Sequence, residues 1–335
     1  MIKVTGKPLW ITWERAQRSR SLSRELDAQL VEMVFSGKRW LRYSALASRT
    51  LAVLMRSRTK RIYVQNPSIV LAALVVLFGM VSRREVVVDA HNAGIWPMEG
   101  RSRYALALAG WINRHARLTI VTNRGMAEEV ERRGGAAFIL PDPVPRLEEG
   151  RRPSWPGDRF SVLFICTWAQ DEPYLDVLKA AERLPEGFRI YITGNSRGRE
   201  RRFPGKLPDN VTLTGFLSET DFVGLLRAVD VVMDLTLRDH CLVCGAYEAV
   251  AAQKPMILSD SVALREYFSS GAVYTKNDPD HIAQSILSAA RDIDQLRRDV
   301  VRLGNQLSES WQSQRDGLLA LLSAGSPGLA LEIRE

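Results

Sequence analysis

The chain has 335 residues, 46% of them apolar and 25% charged, a mix that excludes fibrous and wholly disordered classes and suits a globular core. Its length allows two ordinary domains. Three cysteines, Cys166, Cys241 and Cys244, are too few and too oddly placed for a disulfide framework, so a reducing, cytoplasmic setting is expected.

Short β-branched runs alternate with helical stretches from the start. Strands are predicted at residues 9–12, 62–64, 85–89, 118–121 and 138–140, with an apolar helix from about residue 68. Its 13-residue apolar run, 69–81, is shorter than the roughly 20 residues of a membrane span and predicts a buried helix. The first residues lack the apolar run of a secretory signal, and none is expected. Residues 141–156 are dense in Pro, Gly and charge and read as a linker. The alternation then restarts, with strands predicted at 162–165, 190–193, 211–214, 231–235, 256–258 and 272–274. Helices are predicted at 173–184, from 219, from 245, over 278–307 and over 311–322. Such alternation predicts parallel sheets with helices on both faces. The whole reads as two facing Rossmann-like domains with a cleft between them. Their expected extents are 1–150 and 151–310, followed by a C-terminal helix and tail over 311–335 that crosses back to the first domain.

The net charge of +8 is unevenly placed. Residues 1–150 hold 24 Lys/Arg against 13 Asp/Glu, a balance of +11; the rest hold 22 against 25, a balance of −3. Residues 1–61 alone give 14 minus 4, or +10. The N-terminal half is therefore read either as meeting something anionic or as an arginine-rich solvated surface. The basic and aromatic stretch 38–43 is a candidate for peripheral contact with an anionic membrane, at its inner face.

The most informative segment runs from Asp230 to Asp260. A buried strand delivers the chain to a polar loop, Gly245 opens a helix bearing Glu248, and Pro255 precedes another short strand. A helix N-terminus offers free N–H groups and a positive dipole end to a diphosphate. A glutamate one turn into that helix can accept from vicinal ribose hydroxyls. By physics alone, an ordinary strand–loop–helix explains the segment equally well.

The segment resembles the C-terminal signature of GT-B glycosyltransferases, especially the retaining group 1 enzymes. The matching residues are Gly245, Glu248-Ala249 and the run from Gln253 through Pro255 to Ile257. The resemblance implies a GT-B fold and transfer of a sugar, a hexose by preference, from a nucleoside diphosphate donor to a glycan or polyprenyl-linked acceptor in polysaccharide or glycoconjugate biosynthesis. It implies that Glu248 binds the donor ribose and that the Gly245 region faces the diphosphate. Gly194 and Asn195 match the strand end near the nucleotide. Phe216 and Leu217 match the turn that holds the base. Arg238 is the best remaining cation for the diphosphate. His240 falls where the family often has a first glutamate near the donor sugar, and Gln253 stands where glycine is usual. These departures leave the donor sugar and the stereochemical outcome open. The Arg and Lys phosphate ligands usual after the 160–165 strand are replaced by Asp171-Glu172-Pro173, read as a helix start.

In the N-terminal half the family often places a histidine after a central strand, which makes His91 the first candidate at the reaction centre and Asp89 the second. A lone histidine at a strand end is otherwise an ordinary satisfied polar residue. The glycine-rich first loop of the family is replaced here by a basic, serine-rich stretch. Glu14, Arg15, Arg18 and Ser19 become candidates for an acceptor phosphate through arginine forks, or form a flexible charged loop. No cofactor, metal or nucleic-acid partner is expected. Cys241-x-x-Cys244 has no second pair to complete a zinc site, and neither a dinucleotide nor a P-loop fingerprint occurs. The rival readings are a non-catalytic membrane- or nucleic-acid-binding module and another GT-B enzyme such as a nucleotide-sugar epimerase.

Overall fold

The computed structural model describes residues 6–35, 37, 39–151, 153, 157, 159–203 and 205–324. The chain divides into two compact units, one of residues 1–142 with 309–335 and one of residues 143–308.

The first unit runs β1 (Leu9–Thr12), α1 (Gln17–Glu25), β2 (Gln29–Glu32), α2 (Arg39–Arg56), β3 (Arg61–Asn66), α3 (Ile69–Ser82), β4 (Glu85–Ala90), α4 (Asn92–Ile95), α5 (Arg103–His115), β5 (Leu118–Val121), α6 (Arg124–Arg132) and β6 (Ala137–Ile139). All strands pair in parallel, in the order β2-β1-β3-β4-β5-β6. Alternation along the strands separates two cores. Leu9, Ile11, Ile62, Val64, Val86 and Val88 face the helices α2, α3 and α5. Trp10, Tyr63 and Val87 face Leu22 of α1 and Leu26 just after it.

Two sequence expectations change here. The edge strand β2 is absent from the prediction: its QLVE sequence is half exposed and carries little apolar signal. The apolar helix of residues 69–81 is not wholly buried. Leu71, Ala72, Val75 and Val76 enter the core, whereas Val70, Leu77, Met80 and Val81 are exposed.

The second unit runs β7 (Phe160–Phe164), α7 (Tyr174–Ala181), β8 (Phe188–Thr193), β9 (Val211–Gly215), α8 (Glu219–Ala228), β10 (Val231–Asp234), α9 (Cys244–Ala251), β11 (Met256–Ser259), α10 (Val262–Tyr267), β12 (Ala272–Thr275) and α11 (Pro279–Arg291). Its parallel sheet has the order β12-β11-β10-β7-β8-β9. The first strand of the unit, β7, thus lies between β8 and β10, and successive strands are added outward in opposite senses from the parallel β7/β10 pair. Ligand crevices of open α/β sheets form at the carboxyl ends of the strands flanking such a switch. In the first unit the corresponding point lies between β1 and β3.

The last helix, α12 (Ile293–Ser323), is continuous rather than two helices as expected. Val300 and Leu303 pack in a core of the second unit, while Trp311, Leu318 and Leu322 pack in the first. The Trp311 indole N–H donates to the Pro141 carbonyl at 3.0 Å, satisfying its buried polar edge. No helix among the described residues is long and apolar enough to cross a membrane.

Candidate functional site

In the second unit, the parallel strands bring the loop after β7, the ends of β8, β9 and β10, and the start of α9 to the same sheet edge. The strand β10 ends in Asp234, whose buried Oδ2 accepts the Gly245 N–H at 2.7 Å. The helix α9 has no side-chain cap of its own from Val243, so this carboxyl satisfies one of its free donors. Burial, followed by the opposing Gly245 hydrogen bond and then by Glu172, Glu248 and Asp171, sets the Asp234 carboxyl well above the usual range. Gly245 is required by packing: a Cβ there would lie 2.5 Å from Asp234 Oδ2 and 2.7 Å from Ile165 Cδ1. Its own N–H is engaged by Asp234.

Glu248 sits one turn into α9. Its carboxyl has no hydrogen-bond or ion-pair partner among the described residues, and burial raises its pKa to about 7. A half-buried carboxyl with no protein partner is costly, which singles it out as a group that awaits one.

The loop after β7 is held by Glu172. Its carboxylate accepts from the backbone N–H groups of Thr167 at 3.0 Å and Ala169 at 2.8 Å, and from the Thr167 hydroxyl at 2.8 Å. Within this loop Trp168 adopts a left-handed backbone with φ +63°. Its buried indole donates to the Thr193 carbonyl at 3.0 Å and packs against Tyr174 and Phe203. The reading of residues 171–173 as a helix start captured Pro173, which precedes α7, and missed the loop-holding role of Glu172.

The remaining donor candidates share this edge. Gly194 follows β8 with φ +84°, and a Cβ there would lie 2.2 Å from the Cys166 carbonyl oxygen. Asn195 is exposed, its side-chain oxygen accepting from the Arg197 N–H at 3.1 Å. Phe216 follows β9 with 88% of its surface exposed, a bare ring beside the strand ends; Leu217 is partly buried against the core. Arg238 is half exposed and pairs with Asp171 at 3.3 Å, while the Leu237 N–H donates to the Asp171 carbonyl at 2.7 Å. His240 is partly buried in the same loop. The loop base is fixed by Ser259, whose hydroxyl accepts the Thr236 N–H at 2.9 Å and donates to Asn277 at 2.8 Å. The cysteines are free, and burial raises the Cys166 and Cys241 thiols, Cys241 to about 11.

In the first unit the end of β4 carries Asp89 and His91. Asp89 is fully buried. Arg18 clasps it through Nε at 2.9 Å and Nη2 at 2.8 Å, and the same guanidinium donates to the Leu140 carbonyl at 2.9 Å and pairs with Asp142 at 3.2 Å. Burial opposes ionisation of Asp89, but Arg18 and His91 together outweigh it and hold its pKa below the usual carboxylate value. His91 Nε2 lies 3.7 Å from Asp89 Oδ2, and its ring is partly exposed. Arg18, expected as an acceptor fork, is thus directed inward, because a buried carboxylate demands a cation. Ser19 is also buried. Glu14 and Arg15 are exposed at the end of β1. The Glu14 carboxylate accepts from the Gln65 amide at 3.0 Å, whose oxygen accepts from the Thr12 hydroxyl. This chain lies at the β1/β3 switch. Gln65 was missed because an amide inside a short apolar strand carries no sequence signature.

Residues 159–292 match the family model described as Glycosyl transferases group 1. None of the curated protein sequences matches the chain. Among solved structures, HepE of Anabaena, crystallised with UDP and glucose, aligns with a TM-score of 0.73 at 13% identity, over 96% of this chain and 100% of that one. Sucrose-phosphate synthase from Thermosynechococcus elongatus aligns with a TM-score of 0.69 at 16% identity, over 89% and 84%. A UDP-forming trehalose-phosphate synthase from Burkholderia vietnamiensis aligns with a TM-score of 0.64 at 15% identity, over 88% and 79%. At these identities the likeness establishes the fold. The chain therefore has the two-unit, Rossmann-like GT-B fold of these structures, and residues 159–292, in its second unit, match the group 1 glycosyl transferase model.

Proposed function

We propose that the chain moves a hexose from a nucleoside diphosphate sugar to a glycan or polyprenyl-phosphate-linked acceptor, in polysaccharide or glycoconjugate assembly, in the cytoplasm and in peripheral contact with the inner membrane face. The observation that carries the donor half is the half-buried, unpartnered carboxyl of Glu248 beside the start of α9. Vicinal ribose hydroxyls supply the hydrogen bonds it lacks. The exposed ring of Phe216 offers a stacking surface for the base. Arg238 exchanges Asp171 for the diphosphate and stabilises the leaving group as charge develops. UDP in the HepE complex supports a nucleoside diphosphate donor here.

His91, held beside an Asp89 that Arg18 keeps ionised, is the reading's reaction-centre residue in the first unit. Glu14 and Arg15, both exposed, are the reading's acceptor contacts.

The test is a thermal-shift screen of UDP, GDP, CMP and their sugars against the intact chain and Glu248→Ala. One nucleoside diphosphate raises the melting temperature of the intact chain, and the variant loses that response. Absence of any shift across the set refutes the reading. Turnover of the responding sugar without acceptor would assign an epimerase instead.

A further inference from the structure

We propose that the face of the first unit formed by α2, α3 and α5 is a lipid-docking surface, seated on an anionic bilayer with the apolar side chains of α3 and α5 entering the headgroup region. This deepens the membrane contact proposed above and rests on it.

Three observations converge. The helix α3 is apolar around its whole circumference from Ile69 to Val81, yet only one side of it is in the core. Leu77 is 53% exposed and Val81 80% exposed, with Met80 beside them. An all-apolar helix is ordinarily buried on every side. Neighbouring helices extend the stripe: Met55 near the end of α2 is 69% exposed, and Tyr104 at the start of α5, which packs on α3, is 74% exposed.

The charge on α2, α3 and α5 themselves has one sign. No Asp or Glu occurs between Met33 and Arg84, a run with ten Lys/Arg, and none lies within α2, α3 or α5. Arg56, Arg83 and Arg103 are exposed on these helices or at their ends. Arg103 lies over the Tyr104 ring at 5.0 Å, an apolar body with a cationic tip. Glu99, the nearest carboxylate in sequence before α5, is paired with Arg101 at 3.0 Å. Acids occur on the helices around it: Glu25 in α1 and Asp316 in α12 on the opposite face, and Glu128, Glu129 and Glu131 in α6 on the same face, where Glu128 pairs with Arg124 and Glu129 with Arg132 and Arg133.

An apolar stripe edged with arginines and free of carboxylates complements anionic headgroups over acyl chains. A two-fold pairing of this face with a second copy would oppose arginine to arginine. Nucleic acid would satisfy the arginines and leave Leu77, Met80 and Val81 in water.

The test is co-sedimentation of the full chain with vesicles of phosphatidylglycerol in phosphatidylcholine, against phosphatidylcholine alone. Pelleting with the anionic vesicles only, released by high salt, supports the proposal. Leu77→Glu with Val81→Glu, at positions already exposed, keeps the melting temperature and weakens vesicle binding at least about tenfold. Arg56→Gln with Arg103→Gln weakens it to a similar degree, since each basic residue near the surface matters by several-fold. No pelleting at low salt overturns the proposal. So does a vesicle-free dimer that the Leu77/Val81 variant converts to monomer. The nucleotide thermal shift is measured in parallel and judges the sugar-transfer reading separately, since no residue of this face belongs to the donor cluster.

Discussion

The carboxyl of Asp234 caps the helix that carries Glu248 by accepting the Gly245 N–H at 2.7 Å, so the end of β10 and the start of α9 are fastened at one point. No side chain fits between them.

Gly245→Ala would place a methyl 2.5 Å from Asp234 Oδ2. The expected cost is about 1–3 kcal/mol from overpacking, with loss of nucleotide affinity as α9 shifts. Gly194→Ala costs more, because the obstacle is the Cys166 backbone carbonyl at 2.2 Å and the residue has φ +84°. Thermal unfolding with and without the responding nucleotide measures both effects. An unchanged melting temperature for either variant contradicts the packing argument.

Glu248 has a folded pKa raised to about 7 by burial, above its unfolded value. Below the unfolded value the residue is neutral in both states and carries no penalty. Ionisation of the unfolded state then erodes stability as pH rises toward 7, and the loss levels off above that, at roughly 3 kcal/mol. Glu248→Gln is therefore expected to raise stability at pH 8 and to change it little at pH 4. Denaturant unfolding at the two pH values checks the sign. In calorimetry Glu248→Ala weakens nucleotide binding by about 1.5–3 kcal/mol.

Glu172 holds the β7 loop through two backbone N–H groups and the Thr167 hydroxyl. Glu172→Ala leaves those donors without their acceptor and releases the left-handed turn at Trp168, at a cost of about 2–4 kcal/mol. The difference in tryptophan fluorescence between the variant and the intact chain reads the release of Trp168. Retained stability with native fluorescence would show that the loop does not depend on Glu172.

Arg18→Met leaves Asp89 charged and buried without its cation, which costs about 3–5 kcal/mol. Arg18→Met combined with Asp89→Leu recovers much of it, and a double-mutant cycle measures the coupling. Because Asp89 is held below the usual carboxylate pKa, its contribution is complete above the unfolded pKa and is lost as pH falls through the folded one. His91→Ala is expected to keep stability, since its ring is partly exposed, and to reduce turnover at least about tenfold with donor affinity intact. Full activity with the true acceptor would make His91 structural.

The alternation of apolar strands with helices was legible in the sequence because buried parallel strands are continuous β-branched runs, such as Val86 to Val88, that no other element imitates as well. Gly245 and Glu248 were legible as a motif. Their neighbours were not, since Asp234 and Glu172 act across the sheet edge, 11 residues before Gly245 in one case and on a different loop in the other. The half-exposed strand β2 and the unbroken helix α12 escaped because edge strands and helix junctions are weakly marked in sequence. Only the tertiary structure decided which way ambiguous side chains turn. Arg18 reads as a surface fork until Asp89 draws it inward. The stretch from Ile69 to Val81 reads as core until the sheet covers one side of it and leaves Leu77 and Val81 bare. A sequence records the polarity of a side chain, whereas its exposure depends on partners that the chain brings together from far apart.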